Sequence, residues 1–156
     1  MKKINYLILL VLVVFAISCS KPSYNKEYSW AYPVAGDWTV KAYVNGAKIG
    51  GPYEIKSYNS SFGKDSIWFD DYATTSSNGH FWSFKFKSAV NMINKTFTTT
   101  GSKNAIPGYP ISIKVTDGVI VGKDSISMNV VFGDDPTTIY RLAGHRTVSY
   151  EEYTQQ

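Results

Sequence analysis

From residue 38 onward, hydrophobic and polar side chains alternate along much of the chain with a period of two. The clearest alternating runs are residues 38–44, 80–90, 111–116 and 126–132. Weaker runs of the same kind are residues 53–59, 65–70, 95–100 and 137–146. A period of two predicts β-strands that turn one face to a core and the other to solvent. Because no long stretch repeats with the helical period, we expect about eight strands and no long helix.

Short turn sequences separate these predicted strands. They are Asn45-Gly46, Gly50-Gly51-Pro52, Asn78-Gly79, Pro107-Gly108, Asp117-Gly118 and Asp134-Asp135-Pro136. Gly, Asn and Asp accept the positive φ that tight hairpin turns require, and Pro fixes its own φ. Strands joined in this way form an antiparallel sandwich or a closed barrel. A barrel of about eight strands can hold one small ligand.

A tryptophan near the start of this region and an arginine near its end favour the barrel. Gly36-Asp37-Trp38 opens the first predicted strand, and Arg146 ends the last one. Lipocalins and their calycin relatives begin with a G-x-W motif whose Trp packs beneath an Arg from the last barrel segment, and the sequence resembles that arrangement. We therefore expect an all-β fold: a single antiparallel up-and-down barrel, lipocalin/calycin-like, with Gly36, Trp38 and Arg146 as a structural lock.

The first eighteen residues differ in character from the rest of the chain. Lys2 and Lys3 precede an apolar run over residues 4–17. A basic start followed by about 7–15 apolar residues is typical of a secretory signal, and it is shorter than the roughly 20 residues of a transmembrane helix. The stretch Ala16-Ile17-Ser18-Cys19 resembles the lipobox of bacterial lipoproteins. This resemblance implies cleavage before Cys19 and acylation of Cys19.

Cys19 is the only cysteine of the chain, so it has no disulfide partner within it. A thiolate is a good nucleophile for taking up a diacylglycerol group, and several acyl chains together make a nearly permanent membrane anchor. We expect a lipoprotein signal peptide at 1–18, the lipidated cysteine and a tether at 19–35, a barrel domain at 36–150 and a tail at 151–156.

These features predict an exported protein that is lipid-anchored at the outer membrane of a Gram-negative bacterium. The residues after Cys19, SKPSYNK, lack the acidic cluster that surface-exported lipoproteins carry. The periplasmic face of that membrane is therefore favoured over the cell surface. No run of Lys or Arg suggests a nucleic-acid partner.

Several stretches together resemble a family of secreted bacterial lipoproteins described as "lipid-binding putative hydrolases". They are AGDWTVKAY at 35–43, DSIWFDD at 65–71, HFWSFKFK at 80–87, YPISIKVTDGVI at 109–120 and AGHRTVSYEE at 143–152. The resemblance extends over most of residues 35–152. It implies a calycin-like barrel that is exported, membrane-anchored and able to bind lipid. The stretch between Thr100 and Tyr109 and the hairpin at 117–125 are short, which implies small rim loops.

Candidate catalytic residues are few. The chain has only two histidines, His80 and His145, and it lacks the G-x-S-x-G elbow of serine hydrolases. A triad of Ser66 or Ser83 with His80 and an aspartate would depend on geometry that no motif indicates. We therefore expect no catalytic residue and no cofactor.

Two acidic pairs are interpreted as turn residues rather than as metal ligands. Adjacent strand residues point to opposite faces, so Asp70 and Asp71 are not expected to chelate an ion together. Asp71 is expected to cap a turn, and Asp134-Asp135-Pro136 is expected to form one. No metal site is predicted.

Aromatic residues make up 15% of the chain, which is a large share for a domain of this size. The best candidates for an apolar interior are Trp68, Trp82, Phe84, Phe86, Ile113, Met128 and Val130. An apolar concavity with few polar groups suits a lipid or fatty acid. The same side chains can also fill a small barrel completely, and the alternation along the strands is identical in both cases.

Three functions remain open from the sequence. The first is a non-catalytic, membrane-anchored binding protein whose barrel takes a lipid or other apolar small molecule, with Tyr43, Lys85 or His80 fixing the polar head at the rim. The second is a filled barrel that acts as a structural or protein-interaction module of the cell envelope. The third is a weak hydrolase that uses His80.

Overall fold

Eight antiparallel strands form a closed barrel in the computed structural model, which describes residues 29–60, 63–72 and 79–147. The strands are β1 (Gly36–Val44), β2 (Ala47–Asn59), β3 (Ser66–Asp70), β4 (Lys85–Asn91), β5 (Thr96–Lys103), β6 (Ser112–Val121), β7 (Ser125–Phe132) and β8 (Asp135–Arg146). Each strand pairs with the next in chain order, and β8 pairs with β1. The predicted all-β, up-and-down barrel is thereby confirmed. None of the described residues forms a helix that could cross a membrane.

Two sequences that we predicted to be turns lie inside strands. Gly50-Gly51-Pro52 belongs to β2, and Asp117-Gly118 belongs to β6. Each accompanies a shift of strand register: β1 and β2 shift between Val40 and Tyr43, and β6 and β7 shift between Thr116 and Val119. The positive φ of Asp117, 53°, serves a bulge rather than a hairpin. The β6–β7 turn comes later, at residues 122–124.

The connections define two ends of the barrel. At the N-terminal end, β1 begins, β8 ends, and the chain turns at residues 60–65, 92–95 and 122–124. At the opposite end the connections are residues 45–46, 71–84, 104–111 and 133–134. Since β8 lies beside β1, Thr147 donates its backbone N–H to the carbonyl of Asp37 at 2.8 Å. The described chain therefore starts and finishes at the N-terminal end.

Residues 29–35, which we predicted to belong to a tether, are part of the folded domain. Ala31 and Val34 have no exposed surface, and the segment turns through hydrogen bonds from Tyr32 N to Ser29 O and from Ala35 N to Ala31 O. The hydroxyl of Ser57 donates to Val34 O at 2.7 Å. The apolar pair at 31 and 34 thus covers the N-terminal end of the barrel. Residues 1–18, Cys19 and the predicted tail at 151–156 lie outside the described residues.

Candidate functional site

The predicted lock between Gly36, Trp38 and Arg146 is present at the N-terminal end. The guanidinium carbon of Arg146 lies 4.4 Å from the centroid of the Trp38 ring. Its Nη1 donates to the carbonyl of Ala35 at 2.7 Å. A Cβ atom at Gly36 would lie 2.0 Å from that same Nη1, so only glycine leaves room for the guanidinium. The indole N–H of Trp38, which is fully buried, donates to Ser57 Oγ at 2.7 Å.

Five of the seven predicted interior residues lie in the core. Phe84, Phe86, Ile113 and Val130 have 0% relative exposure, and Met128 has 1%. Phe84 and Phe86 contact each other with ring centroids 5.3 Å apart, and two further core rings, Phe69 and Phe97, lie 4.6 Å apart. Core side chains from all eight strands are almost completely buried, so they pack against one another without a large void between them. In this structure the interior holds side chains rather than space for a lipid.

Trp68 was predicted inside the barrel and lies outside it. Ile67 and Phe69 are the residues of β3 that point to the core, both with 0% exposure. Trp68 pairs with Lys87, and its ring lies beneath two amino groups, Lys87 Nζ at 5.0 Å and Lys85 Nζ at 5.6 Å. The prediction was wrong because both faces of this short strand carry large apolar side chains. Sequence alternation alone could not decide between them.

Lys85 is engaged on the same outer face. Its Nζ lies 3.3 Å from Asp70 Oδ2, and the hydroxyl of Tyr58 donates to that carboxylate oxygen at 2.9 Å. The hydrogen bond with Tyr58 raises the pKa of Lys85, and burial raises the pKa of Tyr58. Lys85, at the start of β4, is therefore engaged in a cluster with Asp70 and Tyr58 on the outer face of the barrel and does not face the interior, whereas we expected it to bind a polar head at the rim.

Phe81 and Trp82 pack over the opposite end of the barrel instead of continuing β4. The alternation predicted a strand from residue 80, but Ser83 has a positive φ of 55° and β4 begins only at Lys85. Trp82 is half-buried and stacks on Phe132, with centroids 4.5 Å apart and planes 5° from parallel. Phe81 contacts Tyr140, with ring centroids 5.5 Å apart. The positive φ of Ser83 interrupts the extended backbone before β4. The side chains of Phe81 and Trp82 therefore no longer alternate between the two faces, and both rings cover this end of the barrel.

Asp71 holds these residues in place. Its buried carboxylate accepts the backbone N–H groups of Trp82 (3.0 Å), Ser83 (3.2 Å) and Phe84. Burial raises the pKa of Asp71, and the N–H donors, which favour the charged form, offset part of that rise. Asp71 was expected to cap a turn; its carboxylate instead bonds residues 82–84, at the far end of the connection between β3 and β4. Across residues 29–60, 63–72 and 79–147, no three His, Cys, Asp or Glu side chains are arranged to hold a metal ion.

Two of the candidate hydrolytic residues, Ser66 and His80, lie at opposite ends of the barrel. Ser66 lies at the N-terminal end, where its hydroxyl is 3.0 Å from that of Ser60. His80 lies at the opposite end, with Nδ1 2.6 Å from the carbonyl oxygen of Asp71 and its ring stacked on Tyr72. A triad of Ser66 with His80 is therefore absent from this structure. His145 is exposed on β8.

A groove of about 540 Å³ lies where β4, β5 and β6 run side by side near the N-terminal end. Its lining is mostly apolar and consists of Ala89, Val90, Asn91, Thr96, Phe97, Thr98, Asp117, Gly118 and Val119. The bulge at Asp117-Gly118 shapes one wall, because Gly118 lets the ring of Phe97 approach its backbone to a distance that a Cβ atom would forbid. Sequence analysis missed this groove because it interpreted Asp117-Gly118 as a hairpin turn.

The described fold is a closed, eight-stranded antiparallel barrel with a G-x-W tryptophan locked beneath an arginine of its last strand. Residues 23–151 match the protein family described as "Lipid-binding putative hydrolase". Because the match extends over most of the chain, the protein belongs to this family. Among curated proteins, none matches the chain.

Proposed function

We propose that this protein is a non-catalytic, membrane-anchored lipoprotein that binds an apolar small molecule of the lipid class in the β4–β6 groove. The family match and the barrel fold support apolar-ligand binding in general. The observation that carries the proposal is the groove itself, since the barrel interior is occupied by side chains. Its volume of about 540 Å³ lies within the range of small-molecule sites.

The chemistry of the groove suits an acyl chain with a small polar end. Ala89, Val90 and Val119 supply apolar surface, and burying such surface stabilises a complex by about 25 cal/mol per Å². Asp117 lies at one edge and accepts a hydrogen bond from Asn129 Nδ2 at 2.9 Å. Asn91 provides a further polar group. A polar head could therefore be held at the edge while the chain lies against the apolar wall.

The membrane anchor is supported by sequence alone. The lipobox-like stretch ending in Cys19 precedes the family match, which begins at residue 23. Acylation of Cys19 would hold the barrel at the periplasmic face of the outer membrane. Ser29, the first described residue, lies ten positions after Cys19, so the domain would stay close to the bilayer surface.

The filled interior favours one alternative function. A barrel whose core has no room for a ligand can serve as a structural or protein-interaction module of the cell envelope. The absence of lipid from the groove would support that alternative.

Mass spectrometry of organic extracts from the purified full chain tests the proposal. We expect a lipid or fatty acid bound in stoichiometric amount, after the acyl groups on Cys19 are accounted for. Ala89→Trp places a large ring in the groove and is expected to remove that molecule. Ala47→Trp, at an exposed position at the opposite end, is the matched control and is expected to retain it. A clean extract from the unsubstituted protein, or equal loading of both variants, would contradict the groove as the site.

A further inference from the structure

Two apolar side chains project from neighbouring turns at the N-terminal end of the barrel. Ile93, in the β4–β5 turn, is 91% exposed, and Val121, at the end of β6, is 62% exposed. Turns normally carry polar residues at such positions, because water solvates them fully. We call Ile93 and Val121 the apolar tips.

The turn that carries Ile93 is built to hold it outward. Asn91 Oδ1 accepts the backbone N–H of Ile93 at 3.0 Å and that of Asn94 at 3.1 Å. This side-chain bridge fixes the tight turn, while the preceding Met92 packs against the core. Ile93 is thus excluded from the interior by the conformation of its own turn.

The two turns are also fastened to each other. Lys95 Nζ donates to the carbonyl of Gly122 at 2.5 Å, and the backbone N–H of Ile120 donates to Lys95 O at 2.9 Å. The backbone N–H of Arg146 donates to Asp124 O at 2.7 Å, which joins the same region to the end of β8. The apolar tips therefore form one rigid edge rather than two independent loops.

We propose that this edge inserts into the interfacial layer of a phospholipid bilayer, so that the N-terminal end of the barrel faces the membrane. The inference extends the proposed function, because it uses the anchor at Cys19. Ser29 lies ten positions after Cys19, and an extended chain over that interval spans at most about 35 Å. Ser29 lies at the same end as the apolar tips, so the tether brings that end to the bilayer.

Apolar insertion rather than charge is the source of the contact. Lys64, Lys95, Lys123 and Arg146 lie at this end, and Asp37, Asp65 and Asp124 offset three of these four positive charges. Binding should therefore depend little on anionic lipid or on salt, unlike the binding of a basic patch. The β4–β6 groove opens beside the edge, through Asn91, Thr96 and Val119, so a lipid could pass between the bilayer and the groove without crossing water.

The test places an environment-sensitive fluorophore on the full chain. Ile93→Cys is labelled with a nitrobenzoxadiazole maleimide in membranes from a Gram-negative expression host. The control is Ile139→Cys, which replaces an apolar residue that is 59% exposed on the side of the barrel. We expect the label at 93 to emit at shorter wavelength than the label at 139, and the difference to persist in high salt. Equal emission from both positions would overturn the inference.

Cell fractionation distinguishes a failure of this inference from a failure of the anchoring proposal. Recovery of the protein in the soluble fraction would contradict the anchoring proposal. In that case the labelled variants, prepared in a Cys19→Ser background, are mixed with vesicles of phosphatidylethanolamine and phosphatidylglycerol. The same wavelength difference is then expected on adding vesicles, and Ile93→Asn should weaken vesicle binding about tenfold. A shift that appears with rising protein concentration, without vesicles, would overturn the inference in favour of a contact between two copies of the chain.

Discussion

The guanidinium of Arg146 lies 4.4 Å above the indole ring of Trp38 and at the same time donates to the carbonyl of Ala35 at 2.7 Å. One side chain thereby joins the last strand, the first strand and the segment that covers the N-terminal end. This contact lies at the end of the β8–β1 pairing, which extends from Trp38 and Arg146 to Tyr43 and Arg141.

Arg146→Ala should therefore lower the free energy of unfolding by about 2–3 kcal/mol, since it removes a cation–π contact and a charged hydrogen bond. Arg146→Lys should recover only part of that loss, because an ammonium cannot stack and donate to several carbonyls together. Urea unfolding followed by tryptophan fluorescence measures the change. Arg141→Ala, at an exposed position of the same strand, is the control and should shift stability by less than about 0.5 kcal/mol.

Gly144 is required for barrel closure. A Cβ atom there would lie 1.9 Å from the carbonyl oxygen of Thr39 and 2.7 Å from the Cα of Val40, both in the backbone of β1. Gly144→Ala should therefore separate β8 from β1 and cost about 3 kcal/mol, at the upper end of overpacking effects. Gly101→Ala is the control, since its Cβ would meet only a side-chain atom, Ser112 Oγ at 3.3 Å. Similar thermal midpoints for the two variants would contradict the tight β1–β8 approach.

Replacing Asp71 should lower the free energy of unfolding, because its carboxylate accepts three backbone hydrogen bonds. Asp71→Ala leaves three N–H groups without their acceptor and should cost about 3 kcal/mol or more. Asp71→Asn keeps one acceptor oxygen and the shape of the side chain, and it should cost less. Equilibrium unfolding at neutral pH measures the free energy of unfolding of both variants and of the wild type. An alanine variant as stable as the asparagine variant would show that water readily replaces the carboxylate.

The pH dependence of Asp71 has a definite sign. Burial raises its pKa in the folded state above the ordinary value of 3.8, so the folded protein takes up the proton more readily than the unfolded chain. Stability from this group therefore increases as the pH falls through the folded pKa, and the gain is complete below the unfolded value. The unfolding free energy of the wild type, relative to Asp71→Asn, should rise from about pH 7 towards pH 4. A relative decrease would mean that the three N–H donors outweigh burial.

Trp82 should stabilise the opposite end of the barrel through its stack on Phe132 at 4.5 Å. Trp82→Ala should cost about 2–3 kcal/mol, less than a fully buried tryptophan, because the ring is half-buried. Tyr72→Ala is the control, since Tyr72 is 57% exposed and lies at the same end. Chemical denaturation of both variants tests the difference, and equal midpoints would mean that Trp82 contributes no packing.

The sequence predicted the parts of this fold that depend on strict alternation or on a distinctive residue pair. β7 was predicted at 126–132 and found at Ser125–Phe132, because its buried and exposed positions alternate without interruption. The pairing of Trp38 with Arg146 was predicted because both ends of a known arrangement are visible in the sequence. Both features can be recognised from the residue types themselves.

The features that the sequence could not predict depend on which strand pairs with which and in what register. Trp68 points outward because β3 pairs with β4 in one register, and its own strand has apolar residues on both faces. Asp117-Gly118 forms a bulge because β5 and β7 continue on either side of it, although the same dipeptide is also typical of a hairpin turn. The groove beside that bulge was missed for the same reason.

The pairing of β8 with β1 has a consequence for the order of the chain. Because Thr147 bonds to Asp37 and every strand other than β1 and β8 pairs only with its neighbours in sequence, a short linker from residue 147 to residue 29 could join the two ends. New termini could then be opened between Asn45 and Gly46 with every strand pairing retained. Such a circular permutant would carry its N-terminus at the opposite end of the barrel, so a lipid attached there would point Ile93 and Val121 away from the bilayer.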